Sequence, residues 1–379
     1  MRVLGIERTN LANNHYRIVQ PIYKLFEQKL AEVSTLNMAN LVGETEKSLD
    51  LIVGADIVVV YSPSNEEWLN LIKTLRKYGK IIVADYDDDP FNVSPWNPAY
   101  QWSGIKEVAY EWPDGTIDML WSETMTGSRG ETDFFNIEGN IKRRDLFKAN
   151  FKKADLVTTT NAYLAQSLGQ INPNVEILPN LVDFGQYPKC ELVKKNIRIG
   201  WQGGSSHYED LFMIVEPMRK VLQQNPDVTF VYSGDSRMLG LFKSFPKAQV
   251  EYHGWTDYKV YPYALTLLNL DIGLCPLANN EFNIRKSAIK YFEYSVVGAV
   301  TLASNIPPYS PVIKDGVDGV LVKDNDWEEA IKESIYSIRL INMAKKAYDN
   351  VYENHNADKK AHLWLNAYDK ILKKELVEA

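Results

Sequence analysis

Four short segments of the chain carry side chains whose types and spacing suit chemistry rather than packing alone. In NNEFNIRKSAIKYFEYSVVGAVTLAS (Asn279–Ser304), Ser287 fits a helix N-cap, and Lys286, Lys290 and Glu293 recur at i, i+4 and i+7, one side of a helix. Ile289, Phe292 and Val296 mark its buried side. Two cations beside a helix start suit a diphosphate leaving group, and a carboxylate one turn on suits the paired hydroxyls of a ribose. A solvated face with a Lys290–Glu293 pair has the same pattern. In IRIGWQGGSSHYEDL (Ile197–Leu211), a strand ends near Gly200, Gly203 and Gly204 make the turn, and Ser205 or Ser206 caps the next helix. Glycines let backbone approach a ligand closely, and free N–H groups at a helix start favour phosphate. This is not the G-x-G-x-x-G dinucleotide fingerprint, and His207 taken alone is a capping or surface histidine.

The third segment, VADYDDDPFNVSPWNPAY (Val83–Tyr100), places Asp85, Asp87, Asp88 and Asp89 where a strand leaves a sheet. Such carboxylates hold Mg²⁺ or Mn²⁺, accept from sugar hydroxyls, or cap a turn ahead of Pro90. The fourth is the first strand-to-helix turn, with Asn13, Asn14, His15, Tyr16 and Arg17; Arg17 either meets an anion or lies on the surface.

The elements that must position these groups alternate. Strands are expected at Arg2–Ile6, Ile57–Tyr61, Ile81–Ala84, Leu156–Thr160 and Val175–Leu178, with helices at Tyr16–Leu30, Glu66–Tyr78 and Ala162–Leu168. Pro179-Asn180 ends this series, and the polar stretch Asp183–Lys195 reads as a linker. The pattern restarts with strands at Ile197–Gly200, Val228–Ser233, Val250–Tyr252, Ile272–Cys275, Val300–Ala303 and Gly319–Val322. Helices are expected near Tyr208–Gln224, Tyr261–Leu268, Ser287–Val297, Asp326–Tyr352 and Ala357–Leu376. The fold class is therefore α/β, with two Rossmann-like doubly wound domains facing a central cleft. Residues 1–184 form the first domain, 185–196 the linker and 197–379 the second, the last helix packing back on the first. Segment 87–130, with Trp96, Trp102, Trp112 and Trp121, is an aromatic-rich excursion from the first sheet.

Composition narrows the chemistry. The 379 residues carry 42 basic and 49 acidic side chains, a net charge of −7, which argues against holding nucleic acid by phosphate neutralisation. Arg143, Arg144, Lys148, Lys152 and Lys153 form the one obvious basic run and read as a solvated helix face. Cys190 and Cys275 are too few for a disulfide framework or thiolate cluster and suit a reducing compartment. No signal peptide or stretch of about 18 apolar residues is seen, so a cytoplasmic protein without membrane insertion is expected. Walker loops, G-x-S-x-G elbows and H-E-x-x-H motifs are missing from the sequence.

On these segments the chain resembles nucleotide-sugar glycosyltransferases of the two-Rossmann GT-B architecture, particularly the family 4 type with bacterial and phage members. KADLVTTTNAYLAQSLGQINPNVEILPNLVD (Lys153–Asp183) resembles the end of that family's first domain, and IRIGWQGGSSHYEDL the opening of its donor domain. DIGLCPL with FNIRKSAIKYFEYSVVGAVTLAS resembles the donor-binding strand, loop and helix, DGVDGVLV (Asp315–Val322) the strand that follows, and DYDDDPFNV an acidic segment of some members. The resemblance implies that Glu293, the second glutamate of E-x7-E, binds the donor ribose. The first glutamate's position is Arg285, with Glu281 or Asn283 as its substitute. Lys286, Ser287 and Lys290 would face the diphosphate, and Gly203, Gly204, Ser205, His207 and Asp235 complete the donor set. His15, Arg17, Asp87, Asp88 and Asp89 would face the acceptor, with Asp88 joining Lys286, Lys290 and Glu293 in catalysis and no metal bound.

The expected activity is transfer of a sugar, with retention, from a UDP- or GDP-sugar to a hydroxyl of a glycan, a lipid-linked sugar or, in a virus, a modified DNA base. The competing readings are a nucleotide-sugar epimerase or hydrolase on the same fold, and a non-catalytic two-lobed carbohydrate-binding protein.

Overall fold

A computed structural model describes residues 1–7, 12–37, 45–124, 126–127, 130–189 and 196–378. Residues 190–195, half of the expected linker and including Cys190, lie outside them, as do three residues of the aromatic excursion.

The strands, in chain order, are β1 Arg2–Glu7, β2 Glu32–Asn37, β3 Ile57–Tyr61, β4 Ile81–Asp85, β5 Val108–Glu111, β6 Ile117–Trp121, β7 Thr126–Gly127, β8 Gly130–Phe134, β9 Leu156–Thr159, β10 Val175–Ile177, β11 Ile197–Gly203, β12 Val228–Gly234, β13 Val250–His253, β14 Ile272–Cys275, β15 Val300–Ser304 and β16 Val320–Val322. Among the described residues they build two six-stranded sheets, ordered β10-β9-β4-β3-β1-β2 and β13-β12-β11-β14-β15-β16. Neighbours within each sheet run parallel. Helices on both faces explain why IVVVY of β3 and IIVA of β4 are continuous apolar runs: every residue of both strands is buried, including Asp85, which ends β4. At Gly5 in β1 a Cβ would stand 2.6 Å from Ile18 Cγ2 and from Ile22 Cδ1, so the missing side chain sets how closely the first helical segment approaches the sheet.

Several expected elements change form. β2 has weak alternation (EVSTLN) and escapes the sequence pattern; it is the sheet's edge, only one of its residues being buried. The expected helix Tyr16–Leu30 is a π-helical turn, His15–Val19, followed by an α-helix, Gln20–Glu27. Asp326–Tyr352 splits into Trp327–Ile335 and Leu340–Asn354. The C-terminal helical stretch is Ala357–Lys360 and His362–Glu378. Trp364, Tyr368 and Ile371 of its last part join one apolar cluster with Val3, Ile22 and Leu25 of the first sheet's layer.

The aromatic excursion folds into a short helix, Tyr100–Ser103, an antiparallel hairpin of β5 and β6, and a pair of β7 with β8. Its rings pack largely on one another: Trp96 lies edge-on to Tyr110 and Trp112, and Trp121 sits against Tyr100 and Phe135. The basic run falls on the helix Ile137–Lys153, and part of it is no solvated face. Arg143 donates to the Trp102 carbonyl, and Arg144 donates to the Phe91 carbonyl while covering the Phe91 ring, so these cations clasp the excursion. No described helix is long and apolar enough to cross a membrane.

Candidate functional site

The C-terminal ends of β11 and β12 meet backbone to backbone. Gly203 (φ 151°) and Gly234 (φ 146°) end these strands in a conformation other residues rarely adopt, and a Cβ on Gly234 would stand 1.9 Å from the Gly203 carbonyl oxygen. Above them opens a cavity of about 500 Å³. Gly204, Ser205, Ser206, Asp235, Arg237, Tyr252 and Trp255 line it from the second sheet's side, and Asn97 and Pro98 from the excursion. Trp255 is 70% exposed, an indole face left open beside the glycine loop. Asp235 is occupied by Arg237, which holds its carboxyl down at about 2 and also donates to Ser205 Oγ. Neither Ser205 nor Ser206 is the helix cap: a 3-10 turn, Ser205–His207, runs straight into the helix Tyr208–Gln224, whose start has no side-chain cap.

Beneath this loop lies Lys290. Its ammonium sits 5.5 Å from the centre of the Trp201 ring and 3.3 Å from where a Gly203 Cβ would be. It makes no hydrogen bond or ion pair among the described residues, and burial pushes its pKa down. The Lys290–Glu293 pair considered from sequence is absent among the described residues. Lys286 is not on the helix, which spans Ile289–Val296; it precedes it in extended backbone. Its ammonium covers the Phe282 ring at 4.5 Å and stands 3.8 Å from Asp88 Oδ1. Ser287 Oγ accepts from Ile289 N at 3.2 Å and from Asn180 Nδ2 at 2.9 Å, so the expected capping oxygen also joins the two halves. His207 Nδ1 lies 2.7 Å from Asp210 Oδ2, and Asp210 is itself held by Ala278 N and Asn283 Nδ2. Burial, with Lys290 and Lys286 nearby, pulls the His207 pKa down to about 4 against the pull of Asp210, so its imidazole is neutral at ordinary pH.

Glu293 is the largest departure from expectation. It is 4% exposed, and both carboxylate oxygens are taken: Tyr16 Oη donates to Oε1 at 2.7 Å, and Tyr261 Oη and Gln202 Nε2 donate to Oε2 at 3.0 and 3.1 Å. Burial raises its pKa against these bonds and the charge of Lys290. Tyr16 reaches it from the first sheet's side, from within the π turn His15–Val19.

The acidic segment divides. Asp87 is buried and accepts from Tyr61 Oη at 2.6 Å and Asn13 Nδ2 at 3.1 Å; burial and then the Asp88 charge raise its pKa. Asp89, fully buried, accepts from Phe91 N and Asn92 Nδ2 and lies 3.3 Å from Arg285 Nε. Of the three, only Asp88 keeps a partly exposed side chain, at 38%, so the expected acceptor contacts at Asp87 and Asp89 are closed off by burial. The expected contact at Arg17 fails for the same reason. Its guanidinium is wholly buried, bound to both oxygens of Asp85 at 2.9 and 2.7 Å, and donates to the Leu178 carbonyl and Asn180 Oδ1. It is a structural clamp under the first sheet's strand ends. His15 does reach the second half: its ring centre is 5.2 Å from that of Tyr258, and burial lowers its pKa. Arg285, expected at the donor, instead pairs with Asp89 and Glu281 and lines a different cavity with Phe91, Lys148 and Gln166. Asn283 is spent on Asp210 and the Ala278 carbonyl, and Glu281 points to solvent, so neither fills the place of the first glutamate.

Sequence reasoning missed the groups that join the halves. Asn161, the cap of Ala162–Gly169, also donates to the carbonyls of Arg285 and Lys286 at 2.8 and 3.0 Å. Ser94 donates to Glu209 at 2.7 Å, and Trp96 stacks on Tyr208 at 6.0 Å. Asn180 stood in a Pro-Asn that signalled only the end of a strand, and Trp255 carried no motif at all.

With this geometry in hand, comparison with known proteins shows what the chain is similar to. Residues 197–339 match the family Glycosyl transferases group 1. A putative teichuronic acid biosynthesis glycosyltransferase of Bacillus subtilis (strain 168), TuaH, is 24% identical over 242 residues, 58% of this chain and 56% of that protein, so the match spans little more than half of that relative. Among solved structures, Anabaena HepE in complex with UDP and glucose superposes over 98% of this chain and 100% of its own, with a TM-score of 0.62 at 12% identity. Sucrose-phosphate synthase from Thermosynechococcus elongatus superposes over 99% of this chain and 100% of its own, with a TM-score of 0.64 at 12% identity. The fold is the GT-B fold.

Proposed function

From a GT-B chain whose second half matches the group 1 glycosyl transferases, we propose a glycosyltransferase that moves a sugar from a nucleotide-sugar donor to an acceptor hydroxyl. The observation that carries this reading is Lys290: a partly buried ammonium with no anionic partner among the described residues, beneath a two-glycine loop, beside a cavity of about 500 Å³. Burying an unpaired charge is costly, and a diphosphate offsets that cost by supplying the missing anion. Residues 197–379 are the donor domain and residues 1–184 the acceptor domain, joined by 185–196.

UDP is the favoured nucleotide, because HepE was solved with it; GDP is the alternative in the same test. The open Trp255 face suits the base, the glycine loop and Lys290 the diphosphate, and the neutral His207 imidazole a hydroxyl of the donor sugar. In the reaction the acceptor oxygen bonds to the anomeric carbon as that carbon's bond to the diphosphate oxygen breaks. The electron pair leaves with the diphosphate, and Lys286 and Lys290 meet the charge that develops. These two cations do what a bound metal does in other transferases, so the reaction runs without one. Retention fits the contact between Asp88 and Lys286, which places an acceptor-side carboxylate on the face from which the diphosphate departs. A glycan or lipid-linked sugar in the cytoplasm is the proposed acceptor class; the basic run that would have favoured DNA is partly committed to the excursion.

The test titrates UDP, GDP and their sugars while following melting temperature, then analyses products with and without acceptor. Stabilisation by one nucleotide and transfer to a hydroxyl are expected. Turnover that never needs an acceptor would return the epimerase or hydrolase reading. Sugar binding indifferent to nucleotide would return the binding-protein reading.

A further inference from the structure

The two halves touch through groups that imitate the ligand the cleft is proposed to bind. Asp88 of the first half puts a carboxylate 3.8 Å from the ammonium of Lys286. Tyr16 of the first half puts a hydroxyl 2.7 Å from Glu293 Oε1, where a ribose hydroxyl is expected from the family resemblance. One contact replaces a phosphate oxygen and the other a sugar hydroxyl, and they come from different loops. Among the described residues Lys290 is reached by no anion of the first half.

The two contacts differ in what they cost to break. Glu293 is buried and its bond from Tyr16 is short, whereas Asp88 is 38% exposed and makes a single loose ion pair. Asp87 and Asp89, its neighbours, are each fixed by hydrogen bonds on the protein; among the described residues no hydrogen bond holds Asp88. A carboxylate held only by the cation that is to bind diphosphate cannot stay there once the diphosphate arrives, because like charges at such separation repel.

We propose that Asp88 is an exchangeable placeholder for the donor: the diphosphate displaces it from Lys286, and the released carboxylate then receives the attacking hydroxyl of the acceptor. This rests on the glycosyltransferase reading and adds to it an order of binding, donor before acceptor, and a role for one residue. Before displacement Asp88 is neutralised by Lys286 and is a poor acceptor. After displacement it has moved off Lys286 and away from the diphosphate, with both oxygens free to meet the acceptor hydroxyl. The hydroxyl donates its proton to Asp88 as its oxygen bonds to the anomeric carbon, and the bond to the diphosphate breaks with the electron pair going to the diphosphate. Asp88 later returns that proton to solvent.

The experiment uses the full chain and Asp88→Asn, with UDP and GDP titrated by calorimetry and UDP-glucose hydrolysis followed as UDP release, water supplying the hydroxyl. Removing the placeholder should tighten nucleotide binding about fivefold, the size of a partly exposed ion pair of about 1 kcal/mol, and reduce turnover about a hundredfold, as expected for loss of a proton acceptor. Asp88→Glu should restore part of the turnover. A residue that merely shapes the loop would weaken binding when changed, so the gain in affinity is the discriminating readout. Unchanged or weaker nucleotide binding by Asp88→Asn overturns the placeholder. Tighter binding with turnover equal to wild type overturns the role toward the hydroxyl. Wild-type protein that binds neither UDP nor GDP instead removes the glycosyltransferase reading itself, a failure distinct from the other two.

Discussion

Replacing Lys290 by methionine keeps an unbranched side chain over Trp201 and removes only the charge. In the free protein that ammonium has an aromatic face at 5.5 Å and no anion among the described residues, and burial holds its pKa below the ordinary lysine value of about 10.4. Two consequences of opposite sign follow. A hydrogen bond to a charged group is worth about 1.5–3 kcal/mol. Loss of the Lys290 contact to diphosphate should therefore weaken nucleotide binding by about 10- to 150-fold. The free protein, relieved of a partly buried charge with no anion beside it among the described residues, should melt no lower than wild type. The pH dependence carries the same signature. Between the depressed folded pKa and about 10.4 the unfolded chain holds a proton that the folded chain has lost, so wild-type stability gains as pH rises through that window. Lys290→Met should lack this gain. Nucleotide affinity of wild type should fall as pH rises through the same depressed pKa, since the neutral amine no longer meets the diphosphate. Calorimetric titration of UDP and GDP and thermal melts from pH 6 to 10 on both proteins decide the matter. A marked drop in melting temperature together with unchanged nucleotide affinity would show that Lys290 is a structural residue, and the donor assignment would fail.

Other perturbations probe the supports around it. Arg17→Met leaves Asp85 charged and buried without its partner, and should cost about 3–5 kcal/mol in chemical denaturation while the folded fraction binds nucleotide normally; weaker nucleotide binding at unchanged stability would refute the clamp. Gly234→Ala forces a Cβ onto the Gly203 carbonyl, so the glycine loop must move, and nucleotide affinity should drop at least tenfold by about 1.4 kcal/mol or more; wild-type affinity would show that the loop is not part of the site. His207, held neutral with a pKa of about 4, opposes folding once protonation sets in: stability should fall as pH drops from about 6.5 towards 4, and His207→Gln should flatten that part of the curve. Ser94→Ala removes one bond between the excursion and the second half, and should speed tryptic cleavage within 87–130 while leaving the melting temperature nearly unchanged; equal cleavage rates would show that this bond does not hold the excursion down.

The core of the fold was legible because buried parallel strands are short uninterrupted runs of Val, Ile and Leu. Ile57–Tyr61 and Ile272–Cys275 coincide with the structure residue for residue. β2 was not legible, since an edge strand half exposed to solvent need not be apolar. The break at Tyr336–Arg339 was hidden because apolar spacing continues through it.

For the site, local sequence determined the types of group and their nearness along the chain: two glycines at the end of β11 and just past it, two lysines before and within one helix, and four aspartates, one ending β4 and three just past it. These follow from strand ends that must turn and helices that must start, both short-range requirements. Tertiary structure alone decided which groups stand free. Of the aspartates, Asp85 went to Arg17, Asp87 to Tyr61, Asp89 to the turn and Arg285, and only Asp88 was left in the cleft. Of the cations, Arg17 and Arg285 were spent on carboxylates and Lys290 was not. A charged side chain takes its role from the partners that other strands and helices bring within about 3 Å of it. Those partners lie 68 residues away for Arg17 and 277 for Tyr16, beyond anything local spacing records.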